Sequence, residues 1–75
     1  MDKAAITTFL ENSLGKKCLV VLSNGSTMIG YLCTIDRFFN LVMRDVDETV
    51  NSKPVSHHSH IFVRGNFVSH VAPTQ

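Results

Sequence analysis

Apolar residues in this chain fall into short runs separated by polar clusters, and the spacing of the runs changes once. Ile6, Phe9, Leu10 and Leu14 recur at the three-to-four-residue interval of a single helix face, with Asp2 able to cap the start and Gly15 the stop. This predicts a helix over about 3–14. From Cys18 onward the pattern is that of strands. Cys18-Leu19-Val20-Val21-Leu22 is a branched apolar run, followed by Ser23-Asn24-Gly25-Ser26, in which Asn-Gly is a strong hairpin signal. Thr27 to Asp36 reads as a second strand, apolar on both faces, with Met28 and Leu32 on one side and Ile29, Tyr31, Cys33 and Ile35 on the other. Gly30 in its middle predicts a tight bend.

Phe39 to Val46 is a third strand, turning polar at Arg44, Asp45, Asp47 and Glu48. Asn51 to His60 reads as a polar loop broken by Pro54. Ile61-Phe62-Val63 is a fourth strand and Phe67 to Val71 a fifth, with Arg64-Gly65-Asn66 between them and a polar tail at 72–75. A helix followed by five short strands predicts a mainly β fold: one domain over 1–75, a strongly bent antiparallel sheet forming a partly open barrel over about 16–71. Such a barrel has two edges, and apolar edge strands are most simply covered by pairing with a neighbour.

Composition sharpens this. A chain of 75 residues buries only about 60% of its unfolded surface, so its core is small. At 44% hydrophobic and 17% charged it is too apolar for a disordered chain, and the surplus points to an interface. The net charge of +1 gives no global attraction for nucleic acid, so any such binding is local. Cys18 and Cys33 lie in apolar runs and read as reduced thiols. No run approaches the roughly 20 apolar residues of a membrane span. With no signal peptide in view, an intracellular location is the expectation.

The candidate chemistry sits in two polar clusters where strands meet, Ile35-Asp36-Arg37-Phe38-Phe39-Asn40 and Ile61-Phe62-Val63-Arg64-Gly65-Asn66. Asp36 and Asn40 are turn formers that bond nearby amides. Gly65 can take a positive φ without cost. Phe38, Asn40, Arg64 and Asn66 then offer a flat ring, two amides and a guanidinium, the tools that hold an unstacked base.

Gly25-x-x-Met28-x-Gly30-x-Leu32-x-x-x-Asp36-x-x-Phe39-Asn40-Leu41 resembles the first motif of the Sm-like family, and Ile61-Phe62-Val63-Arg64-Gly65-Asn66-x-Val68 resembles the second. The resemblance runs from Lys16 to Val71. It implies an N-terminal helix on a five-stranded SH3-like open barrel, rings of six or seven subunits closed by pairing the fourth strand of one to the fifth of the next, and binding of U-rich single-stranded RNA on the inner rim. Within the eukaryotic branch, Met28-Ile29-Gly30-Tyr31-Leu32 and the segment from Ile35 to Val42 are similar to the paralogue of the cytoplasmic mRNA-decay ring. The nuclear ring that binds U6 small nuclear RNA in splicing is the other reading. The resemblance implies that Phe38 stacks on a base, Arg64 closes its other face and Asn40 bonds its edge. Asp36 would hold the turn, and Asn66 would support Asn40 or bond the base.

Other chemistry has less behind it. His57-His58-x-His60 suggests zinc, but no carboxylate or thiolate lies within a few residues in sequence, and a mobile loop is the stronger expectation. Asp45, Asp47 and Glu48 read as a solvated face, not an acid–base pair. No cofactor, metal or catalytic residue is expected. A peptide-binding adaptor built on the same kind of barrel is the competing class. It would want exposed aromatics beside acidic residues, whereas here Arg64 adjoins the best aromatic turn.

Overall fold

Residues 12–74 are described by the computed structural model of the chain. The helix expected over about 3–14 lies outside them except at 12–14, which form a turn leading through Gly15 into the first strand. The strands are β1 (Lys17–Leu22), β2 (Thr27–Ile35), β3 (Leu41–Val50), β4 (Lys53–Val63) and β5 (Val68–Pro73), with a single 3-10 turn, Gly65–Phe67, before β5. They form one antiparallel sheet in the order β4-β3-β2-β1-β5, so β4 and β5 are its two edges.

Alternation fills the barrel. Cys18 and Val20 of β1, Met28 and Leu32 of β2, Leu41, Met43 and Val46 of β3 and Val63 of β4 are buried and form one core cluster. Cys18 is buried, Cys33 is half-buried, and both thiols are free.

Two irregularities in the β2–β3 ladder make the sheet curl. Ile29 pairs with Asp47 but Tyr31 with Arg44, so β3 carries an extra residue, and Asp45 takes φ 50 there. Gly30 faces this bulge. A Cβ at Gly30 would lie 2.7 Å from the Val46 side chain and 2.9 Å from the Arg44 carbonyl oxygen, so the bend expected at Gly30 is a close strand-to-strand approach that only glycine permits. The second irregularity lies between Leu32 and Thr34. It turns Ile35 back to pack against the core, although strict alternation assigns Ile35 to the opposite face.

The polar stretch from Asn51 to His60 is not a loop. Asn51 and Ser52 alone make the turn, both at positive φ (52 and 64), and the chain returns as the 11-residue β4 paired along β3. A two-residue turn with two left-handed residues matches the twist of the strands it joins. The strand is polar because most of it is an exposed edge, and an edge also tolerates Pro54. The histidines belong to this ladder: His57 Nδ1 lies 2.7 Å from Asp47 Oδ1, and His58 Nε2 lies 3.0 Å from Glu48 Oε1. The carboxylates missing nearby in sequence come from the facing strand. Among the described residues no group of three metal-ligating side chains converges.

Candidate nucleic-acid interface

The loop between β2 and β3 is closed in the same way as the loop between β1 and β2. In the first loop, Gly25 N–H donates to the Leu22 carbonyl (3.0 Å) and Leu22 N–H to the Ser26 carbonyl (2.8 Å). In the second, Phe39 N–H donates to the Asp36 carbonyl (3.0 Å) and Asp36 N–H to the Asn40 carbonyl (3.2 Å). Each frame needs a left-handed residue in fourth place. Gly25 fills it at φ 92, whereas Phe39 fills it at φ 63. A bulky residue in that region is strained, and such strain collects at binding sites.

Asp36 holds this loop. Its Oδ1 accepts from Phe38 N–H (2.8 Å) and Asn40 N–H (3.0 Å), and its Oδ2 accepts from Asn40 Nδ2 (3.0 Å). These bonds favour the charged form. The Asn40 side chain, then the two backbone amides and Arg37, hold the Asp36 carboxyl below its ordinary range against a desolvation effect that pushes it up.

A carboxylate only accepts, so Asn40 must turn its amide nitrogen toward Asp36. Its Oδ1 then faces the other turn and accepts the Gly65 N–H at 2.7 Å. The two polar clusters of the sequence are thus brought side by side. Support of Asn40 comes from the Gly65 backbone and not from the exposed Asn66 side chain. Gly65 is also needed for a different reason than expected. Its φ is not positive; instead a Cβ there would collide with the Phe38 carbonyl oxygen.

Beside this junction lies an open cleft of about 460 Å³, lined by Phe38, Phe39, Asn40, Arg64, Gly65 and Asn66. Five of these residues carry the sequence-derived site; Asp36 stands behind them as the brace, and Phe39 is the addition. Phe38 is 63% exposed, so core packing does not account for its ring. Arg64 is exposed and immediately precedes the 3-10 turn, whose Phe67 N–H bonds the Arg64 carbonyl at 3.0 Å. Asn40 keeps one N–H and one oxygen lone pair beyond the bonds it makes, so it can still address a ligand in the cleft. Sequence reasoning passed over Arg37, whose guanidinium carbon sits 5.3 Å from the Phe38 ring centroid. The signal was there, a cation next to an aromatic within one turn.

The fold is shared with known proteins. The chain matches the LSM domain family over residues 8–73. It is 38% identical over 64 residues to the LSM complex subunit lsm6 of Schizosaccharomyces pombe, covering 85% of each chain. It is 35% identical over 66 residues to the U6 snRNA-associated Sm-like protein LSm6 of Coprinopsis cinerea, covering 88% of this chain and 70% of that one. Among solved structures it superposes on the Pyrococcus abyssii Sm protein in complex with a uridine heptamer with TM-score 0.86 at 30% identity, covering 89% of this chain and 94% of that one. A heptameric archaeal Sm protein gives TM-score 0.83 at 28% identity, covering 91% and 98%. A five-stranded bent sheet, two adjoining motif turns and a family match across most of its length make this chain a member of the LSM domain family.

Proposed function

We propose that the chain is an RNA-binding subunit of an Sm-like ring and that its cleft holds one base of a U-rich single strand. The observation that carries this is the Asn40 amide, fixed between Asp36 and Gly65 with Phe38 left exposed beside it. An exposed ring and a guanidinium around a pre-set amide suit a planar base. Phe38 and Arg64 take its two faces, Asn40 its edge, and Asn66 contributes a further amide at the rim. The Pyrococcus relative with its uridine heptamer supports uracil as the base. The two open edges, β4 and β5, support assembly with other Sm-like subunits, and the heptameric relative supports a ring. Weak single sites then add around the ring.

Of the two cellular readings, the names of the curated relatives support association with U6 small nuclear RNA, and with it a nuclear location, over the mRNA-decay ring expected from the motif alone. Oligo-U binding by the assembled protein tests the site: Phe38→Ala and Arg64→Ala should each weaken it, and unchanged affinity in both would end the base-cleft reading. Sequencing RNA and subunits co-purified from native extract separates the two rings. Recovery of U6 RNA from a nuclear fraction is expected, and recovery of mRNA 3′ ends with decay factors from the cytoplasm would reverse the choice.

A further inference from the structure

We infer that Arg37 is a positioning residue for base stacking, packing behind the Phe38 ring and presenting the opposite face of that ring to the cleft. The inference rests on the RNA-binding reading above. The Arg37 guanidinium carbon lies 5.3 Å from the Phe38 centroid, within cation–π range. Yet Arg37 does not line the cleft, which is walled by Phe38, Phe39, Asn40, Arg64, Gly65 and Asn66. The guanidinium lies over one face of the ring and is not part of the cleft wall, which leaves the ring's other face for a base.

The backbone beneath this ring is already fixed. Asp36 Oδ1 holds the Phe38 N–H at 2.8 Å and the Asn40 N–H at 3.0 Å. What remains free is the ring's own rotation about its side-chain bonds, since Phe38 is 63% exposed and has little packing to set its rotamer. Freedom of that kind must be given up when a base stacks, which weakens binding. Arg37 removes part of it beforehand. Its planar guanidinium stacks flat on an aromatic face in a way that a lysine ammonium does not. With a base bound, the order of layers becomes Arg37, Phe38, base, Arg64, with a cation at each end.

A direct contact from Arg37 to an RNA phosphate is the competing role, and a double-mutant cycle separates the two. Oligo-U affinity is measured over a range of salt for wild type, Arg37→Ala, Arg37→Lys, Phe38→Ala and the double variant, with circular dichroism and particle mass confirming fold and assembly. Arg37→Ala should lower affinity about two- to fivefold, Arg37→Lys should recover less than half of that, and the loss should vanish in the Phe38→Ala background. The salt dependence should stay as in wild type. In the RNA-free protein the Arg37 side-chain protons should show an upfield ring-current shift in NMR that disappears in Phe38→Ala.

Additive losses with the log–log salt slope reduced by about 0.7, the value for one single-strand phosphate, would make Arg37 a phosphate ligand and overturn the inference. Full affinity in Arg37→Ala alongside a weakened Phe38→Ala would also overturn it while leaving the base cleft standing. Full affinity in Phe38→Ala would remove the base cleft itself, and the role of Arg37 with it.

Discussion

Asn40 and Gly65, 25 positions apart in the chain, are joined by a 2.7 Å hydrogen bond from the glycine N–H to the asparagine Oδ1. One side chain thereby ties the loop between β2 and β3 to the turn between β4 and β5. Removing it as Asn40→Ala leaves the half-buried Gly65 amide without an acceptor and takes from Asp36 Oδ2 its side-chain donor, while the two backbone donors to Oδ1 remain. A loss of about 1–3 kcal/mol is expected, read as a lower urea midpoint with an unchanged m-value. Oligo-U affinity should fall further than that of Phe38→Ala, because both walls of the cleft move.

Gly65→Ala attacks the same junction from the other side. The added Cβ meets the Phe38 carbonyl and the backbone carbon of Phe39, and backbone atoms cannot turn aside as a side-chain tip can. Destabilisation of about 1–3 kcal/mol or more is expected, measured by thermal or urea unfolding. Gly25→Ala is a useful contrast: nothing lies within 4 Å of its Cβ, so its cost comes from the φ of 92 alone.

The Asp36 brace should show in the acid limb of stability. Its folded carboxyl lies below the ordinary range, chiefly through the Asn40 side chain, so the unfolded chain takes up the proton more readily. The stabilisation is therefore fully present above the unfolded aspartate value of about 3.9 and is lost as the pH falls through the folded value. Wild type should exceed Asp36→Asn in stability at neutral pH, and the gap should close in stronger acid. A gap that holds constant across that range would contradict the brace. Urea titrations at stepped pH supply the comparison.

The hairpin between β3 and β4 offers a gain. Ser52 occupies a left-handed conformation at φ 64. Ser52→Gly relieves a cost of roughly 1–2 kcal/mol and gives back roughly 0.5–1 kcal/mol as unfolded-state entropy. A net stabilisation of about 0.5 kcal/mol is expected, seen as a higher melting temperature with RNA binding unaltered.

Most of the barrel could be read from the sequence because alternation and hairpin chemistry are local. The apolar runs around Val20, Leu32, Met43 and Val63 each reported a buried face, and Asn24-Gly25 announced its turn. The errors arose where a pairing partner decided the outcome. Lys53 to His60 is polar and proline-broken, so it looked like a loop; it is a strand because β3 supplies its ladder, with Asp47 and Glu48 meeting His57 and His58. Ile35 left its expected face because of a bulge, which alternation cannot register. At the site, the resemblance named side chains that the fold brings together at one cleft, but the Gly65 amide as the partner of Asn40 and the strain at Phe39 belong to backbone geometry that residue types do not encode.

The two edge strands have a consequence of symmetry. β4 is an 11-residue strand and β5 a 6-residue one, so the two edges of the sheet are unlike. A twofold dimer would match like with like and leave the other edge bare in both copies. Joining β4 of one molecule to β5 of the next is heterologous, and any open series built that way still ends in one bare edge of each kind. Closure alone leaves none. In such an arrangement a molecule with a blocked β5 edge acts as a terminator, and a small fraction of these would disrupt many assemblies, each needing every member to close.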